Sequence, residues 1–323
     1  MASETQAYNN FLNTQYPIMG GAMTWVSEVN LVTAISRAGA FGVLACGSMT
    51  PELLQNEIRK TKIHNLSFGV NLIVKHPKIL ELIEITINEE VKYVILAGGL
   101  PRDIHIQRLK ENNIKVIAFA PPSLRLTEKI ISKGIDALII EGSEAGGHIG
   151  PVSTGIMVQD IMLPCMNEVP FFVAGGIATP DIVKQYMNMG AAGCQIGTVL
   201  AASKESIAHD NFKQILIKSS AKDAISSVQL DQRFNVIPVR AIRNNATNEF
   251  LRLQKKIIEE YDSGIITKEK AQLKIELFWA GALKKAVIDG DIINGSLMAG
   301  ESVGLIKEEK TVNNIIKDIV SFI

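Results

Sequence analysis

The stretch DALIIEGSEAGGHIGPVST, residues 136–154, decides the fold. Its opening apolar run has the length and β-branching of a buried parallel strand, and the acidic, small and glycine residues from Glu141 onward end that run abruptly. A chain that leaves a strand in this way enters a loop made for a ligand. Gly146 and Gly147 are expected to take positive φ and to let the backbone approach a flat or phosphorylated molecule. They leave His148 as the one bulky titratable side chain among small residues, which makes His148 the first candidate for catalysis. The competing reading is a surface loop whose glycines only turn the chain, with His148 incidental.

Outward from this stretch the same alternation repeats. Tyr16 to Met23 reads as a strand running into Gly20 and Gly21, followed by a helix with apolar residues at Val29, Val32 and Ile35. Val43-Leu44-Ala45 is a second strand, and Thr50-Pro51-Glu52 opens the next helix with a cap and a first-turn proline. Ser67 to Ile73 is a third strand interrupted by Asn71, whose buried amide needs partners: it is either a bridge between loops or a ligand contact. Helices are expected near 77–89, 102–112 and 123–132, with strands at 93–96 and 116–119 between them. Beyond the opening stretch come a helix near 155–166, the strand Phe171 to Ala174, and a helix opened by Thr179 and Pro180. The last strand, Gly193 to Ile196, follows. Eight alternations within about 200 residues are the period of a (β/α)8 TIM barrel rather than of an open doubly wound sheet.

After Ala208 the pattern changes, so residues 1–208 are assigned to the barrel and 209–323 to a mainly helical subdomain over its mouth, free to return to the barrel at its C-terminal end. Within it, 211–225 is mixed, 234–239 is expected as a strand, 245–261 and 268–287 as helices, and 289–295 as a turn. Residues 296–300 are expected to lead into a small-residue helix, and 311–322 to form a last amphipathic one. The apolar stripe of these helices reads as a packing face, with a homodimer contact as a further option.

Barrel enzymes place ligands at the C-terminal ends of the strands and phosphates in the loops after the seventh and eighth. Gly175-Gly176 and Gly197-Thr198 fall in those two loops, where bare backbone N–H groups hold a phosphate without a lysine. No GxGxxG follows the first strand, which argues against a dinucleotide fold. Glu141 and Glu144 are a candidate acid–base pair, although loop carboxylates more often bind backbone amides.

Composition narrows the class. Lysine plus arginine equals aspartate plus glutamate at 33 each, so no overall field draws nucleic acid or an anionic membrane. Cys46, Cys165 and Cys194 are an odd number without a CxxC pair, which argues against disulfides and a cysteine metal site. The N-terminal residues carry no secretory pattern and no apolar run approaches the roughly 20 residues that span a bilayer, so a cytoplasmic location is expected.

The segments YPIMGGAMTWVS, FGVNLI, EGSEAGGHIG, VAGGIA, GCQIGTVLAASKESIAH, PVRAIRN and NGSLMAGESVGLI run from Tyr16 to Ile306. Together they resemble the flavin-dependent enoyl-acyl-carrier-protein reductases and the related nitronate monooxygenases, or 2-nitropropane dioxygenases. The resemblance implies FMN on the barrel, contacted by Asn71, Glu141, Gly146, Gly176 and the run Gln195, Ile196, Gly197 and Thr198. Gly21 and Met23 would lie against the isoalloxazine, and His148 matches the family's catalytic histidine. KESIAHDNF, VRAIRN and GSLMAG resemble the reductase pattern more than the nitronate one, whereas IMGGAM stands where a reductase more often shows a glutamine. The reductase reading implies NADH or NADPH as electron donor and an acyl-carrier-protein-bound substrate. Arg240 and Arg243 are then placed to meet phosphates at the mouth. Nitronate oxidation is the alternative, and a barrel that binds a phosphorylated ligand without turnover is a third reading.

Overall fold

The computed structural model describes residues 11–234 and 236–323; most of the polar lead-in therefore lies outside the described residues. Eight parallel strands make the core: β1 Ile18–Gly20, β2 Gly42–Ala45, β3 Phe68–Ile73, β4 Tyr93–Ala97, β5 Lys115–Phe119, β6 Ala137–Glu141, β7 Phe171–Ala174 and β8 Gly193–Ile196. They pair in sequence from β2 to β8, and β8 pairs with β1. A parallel bridge between Met19 and Phe41 brings β1 back to β2: Phe41 N–H donates to the Ile18 carbonyl and Gly20 N–H to the Phe41 carbonyl, both at 2.8 Å. The sheet is a nearly closed barrel ringed by helices.

Alternation along each strand sorts the side chains into two layers. Met19, Phe41, Val43, Ile95, Ile117, Ile139 and Phe172 fill the barrel, while Ile18, Leu44, Val70, Leu96, Ala118, Ile140 and Val173 pack outward under the helices. The same parity directs Asn71, Glu141 and Gln195 inward, at or near the C-terminal ends of β3, β6 and β8.

The helix Val312–Ile319 packs against Val29–Arg37, Pro180–Asn188 and Thr198–Ala201, and so stands between the first and seventh helices of the ring. Its buried residues Val312, Ile315, Ile316 and Ile319 recur at helical spacing. Between Ala201 and Val312 the chain forms further helices and a small sheet. Two long helices, Asn245–Asp262 and Lys268–Val287, enclose Phe250, Ile257, Ile275 and Trp279, the Phe250 and Trp279 rings lying 4.4 Å apart. A small antiparallel sheet joins Ala224–Ser226, Val239–Ile242, Leu297–Met298 and Gly147–His148.

Some expected elements differ. The strand expected over 234–239 lies instead at Val239–Ile242, after Pro238, which has no N–H for a ladder. Asn235 lies outside the described residues. Residues read as mixed contain the helix Asp210–Lys218, capped by His209, whose ring accepts from Asn211 N–H. The helix near 155–166 is three pieces, with a π turn at Val158–Met162. Pro164 explains it, because its ring clashes with the carbonyl four residues back and it offers no donor. Residues 296–300 form the short strand rather than leading into an α-helix, and a 3-10 turn, Glu301–Leu305, follows. Among the described residues no helix is long and apolar enough to cross a membrane.

Candidate active site

The floor of the site is polar where the rest of the barrel interior is apolar. Asn71 and Gln195 are 4% and 8% exposed, and Glu141 is half-buried. Glu141 pairs in register with Ala174, and Ala174 with Gln195, so Glu141 and Gln195 stand at one level two strands apart. The Asn71 amide donates to the Ile95 carbonyl at 3.2 Å, which makes it a bridge between neighbouring strands. Its side-chain oxygen, the Gln195 amide and the Glu141 carboxyl have no side-chain hydrogen bond to protein among the described residues. Burial pushes the Glu141 pKa up to about 8, so this carboxyl is mostly protonated at neutral pH and can donate. Three inward polar groups with unspent hydrogen-bonding capacity mark a ligand site.

Around this floor the strand ends expose backbone. Gly175 and Gly176 have φ of +98° and +73°, as expected for a loop turning sharply off β7. Gly21 and Gly197 lie against each other after β1 and β8: a Cβ on Gly21 would stand 3.5 Å from the Gly197 Cα. A Cβ on Gly197 would meet the Met23 sulfur at 3.7 Å, so Met23 joins the same wall. Ser27 fixes this loop, donating to the Gly21 carbonyl at 2.9 Å and accepting from Met23 N–H at 3.0 Å. Trp25, in the same loop, has φ +67° and a buried indole N–H with no hydrogen-bond partner among the described residues, and the Lys284 ammonium lies 5.3 Å from its ring. Neither residue was singled out from the sequence; a serine and a tryptophan after a short strand carry no distinguishing signal.

Glu144 is structural. Its carboxylate accepts from both Thr154 N–H and the Thr154 hydroxyl at 2.9 Å, and that hydroxyl lies within 3.4 Å of the Ala174 and Gly175 carbonyls. The loop after β6 is thereby tied to the loop after β7.

His148 stands on this loop, in the small sheet opposite Val239. Its ring is accessible yet surrounded by protein. Desolvation holds its pKa below the ordinary value, Glu276 of the helix Lys268–Val287 opposes this and Lys75, beyond β3, adds to it. The imidazole is therefore neutral at neutral pH, with one N–H to donate.

One expectation of backbone geometry is corrected, the positive φ of Gly146. Gly147 has the expected positive φ, +77°, but Gly146 does not. A Cβ at Gly146 would meet the Gly300 nitrogen at 2.5 Å, so this glycine makes room for the returning chain. Arg240 is turned inward with its side chain 12% exposed: it donates to the Ser143 carbonyl at 2.9 Å and the Ala224 carbonyl at 2.6 Å, and pairs with Glu301 at 2.9 Å. These contacts engage Nε and Nη1, and Nη2 makes no such bond among the described residues. Arg243 is exposed at the far end of the Val239–Ile242 strand, roughly 13 Å from the His148 pairing at a rise of about 3.3 Å per residue. Thr198 accepts from Gly300 N–H at 3.0 Å and retains its hydroxyl proton for another acceptor. Among the described residues no cluster of three or more His, Cys, Asp or Glu forms a metal site, and the three cysteines are buried and free.

A parallel barrel with a polar inward layer under glycine loops, and one exposed histidine on the loop after β6, defines the class as a barrel protein with its candidate site at the C-terminal ends of the strands. Residues 5–85 and 78–321 match the family model described as nitronate monooxygenase, and the chain belongs to that family of oxidoreductases. Among solved structures it is similar to FabK from Thermotoga maritima, with 32% identity, a TM-score of 0.84, and coverage of 98% of this chain and 94% of that one. A Rhodococcus jostii protein named (3aS,4S,5R,7aS)-5-hydroxy-7a-methyl-1-oxo-octahydro-1H-indene-4-carboxyl-CoA dehydrogenase is 26% identical, over 99% of this chain and 96% of its own length. A probable nitronate monooxygenase of Staphylococcus saprophyticus is 28% identical, over 79% of this chain and 81% of its own.

Proposed function

We propose that this oxidoreductase carries FMN and uses NADH or NADPH to reduce enoyl thioesters borne on acyl carrier protein. The observation that carries the cofactor assignment is the inward layer of Asn71, Glu141 and Gln195, whose unspent polar groups suit the edge of a flavin ring. Gly21, Met23 and Gly197 supply a flat wall beside it. Gly175, Gly176 and Gly197, with the Thr198 hydroxyl, offer a place for one terminal phosphate. FabK and the indene-carboxyl-CoA dehydrogenase support the substrate class, the latter by a name that specifies an acyl-CoA.

When bound and reduced by NADH or NADPH, FMN would supply the hydride for the β carbon of the thioester, with the α carbon taking a proton from water. His148, neutral and accessible, donates its N–H to the thioester oxygen as negative charge develops there; donors of this kind contribute about 10²–10³ in rate. Glu141, mostly protonated, presents a hydrogen-bond donor to the ligand without placing a negative charge beneath it. Glu276, on the helix Lys268–Val287, opposes the lowering of the His148 pKa by its charge.

The nitronate reading keeps the same residues, with the His148 N–H holding an anionic nitro group, and the nitronate monooxygenase relatives favour it. The cofactor proposal is tested by heating the purified protein and chromatographing what is released. Noncovalent FMN and a yellow holoprotein are expected; a colourless chain that stays apo on incubation with FMN would overturn it.

A further inference from the structure

Residues 297–301 touch both halves of the site. Leu297 and Met298 pair with Ile242 and Ala241. Gly300 N–H donates to the Thr198 hydroxyl at 3.0 Å, in the loop after β8, and Glu301 N–H donates to the Glu144 carbonyl at 2.9 Å, in the loop that carries His148. The Glu301 carboxylate then holds Arg240 at 2.9 Å, and Arg240 holds the Ser143 carbonyl at 2.9 Å. The strand that carries Arg240 also fixes His148 itself: Arg240 pairs with Gly147, Val239 with His148, and Ile149 N–H donates to the Pro238 carbonyl at 2.9 Å.

We propose that Arg240 and Glu301 are positioning residues that couple the grip of Thr198 on a phosphate to the placement of His148, a proposal that rests on the FMN reading above. Thr198 has one donor and two lone pairs, and Gly300 uses one lone pair. A phosphate oxygen accepting the remaining Thr198 proton polarises the hydroxyl and strengthens its bond from Gly300 N–H. Gly300 is held without slack, since a Cβ there would meet the Glu144 carbonyl oxygen at 2.7 Å and the Gly146 nitrogen at 3.0 Å. Ordering Gly300 therefore orders Glu301, and Glu301 acts on the His148 loop through its own N–H and through Arg240. The bonds made by Arg240 are charge-assisted, and its own side chain is only 12% exposed although that of Glu301 is 41% exposed, which makes the Arg240 end the stiffer part of the chain of contacts. Linkage makes the effect reciprocal: a phosphate-bearing ligand steadies the loop, and a steadied loop tightens the ligand by the same factor.

The test follows amide hydrogen exchange in residues 142–150 with and without FMN, alongside FMN affinity from flavin fluorescence, in wild type, Glu301→Gln and Thr198→Val. FMN is expected to slow exchange there by roughly tenfold in wild type, and both variants to lose most of that slowing. FMN affinity should weaken in Glu301→Gln by the factor of protection lost, a matching that a merely structural role would not produce. Equal FMN-dependent protection in wild type and Glu301→Gln would overturn the proposal. A wild-type protein that binds no FMN fails the cofactor reading instead. The latch is then judged on the free protein, where Glu301→Gln is expected to exchange about tenfold faster in 142–150 and equal exchange overturns it.

Discussion

Gly146 and Gly300 cross with no room for a side chain between them: a Cβ at Gly146 meets the Gly300 nitrogen at 2.5 Å and the Ala299 carbonyl carbon at 2.6 Å. Both obstacles are backbone, and the Glu301–Glu144 hydrogen bond holds the crossing from the side. Gly146→Ala should therefore lower stability by about 1–3 kcal/mol, the usual cost of overfilling a packed contact. Urea unfolding measures this, and a midpoint equal to wild type would contradict the packing role. Gly147→Ala is strained for another reason, its φ of +77°.

On the proposed reading His148→Ala should keep the fold and the cofactor, because no hydrogen bond of Gly175, Gly176, Gly197 or Thr198 among the described residues involves the imidazole. Turnover should fall: kcat/KM is expected to drop by about 10²–10³ if the ring stabilises developing charge. Steady-state kinetics at matched flavin content decide it, and unchanged kcat/KM would make the histidine incidental.

Glu141 gives a pH dependence with a definite sign. Its pKa in the flavin-free fold is about 8, against 4.5 for the ordinary carboxyl, so the folded state holds the proton more tightly than the unfolded chain. The stability linked to this proton is complete below about 4.5, declines as pH rises, and is lost above about 8. Glu141→Gln removes the titration. Its Tm should exceed that of wild type most at pH 8.5, and the excess should shrink towards pH 5. A difference that is flat with pH would contradict the protonated carboxyl.

The barrel was legible in the sequence because each βα unit is a local pattern, readable from its own apolar run and the glycines or prolines that end it. Asn71 was legible for the same reason, as a polar residue in an otherwise apolar run, whereas Glu141 and Gln195 entered as ligand contacts only through the family resemblance. What escaped was contact between distant segments. Gly146 looked like a ligand-facing glycine, and only the return of Ala299 and Gly300 shows what occupies the space beside it. Arg240 looked free to meet a phosphate, yet its partners Ser143, Ala224 and Glu301 come from three separate stretches. The helix Asp210–Lys218 was hidden by its start, because His209 is not among the residues that ordinarily announce a cap.

The reductase reading requires that reduced nicotinamide charge the flavin and that an enoyl thioester discharge it, whereas a nitronate substrate would charge the flavin itself. Anaerobic stopped-flow absorbance of the flavin-loaded protein separates the two directly. The account predicts rapid bleaching by NADH or NADPH, followed by return of the oxidised spectrum on mixing with a crotonyl or longer enoyl thioester. Bleaching by propyl-2-nitronate, with none by either reduced nicotinamide, would contradict it.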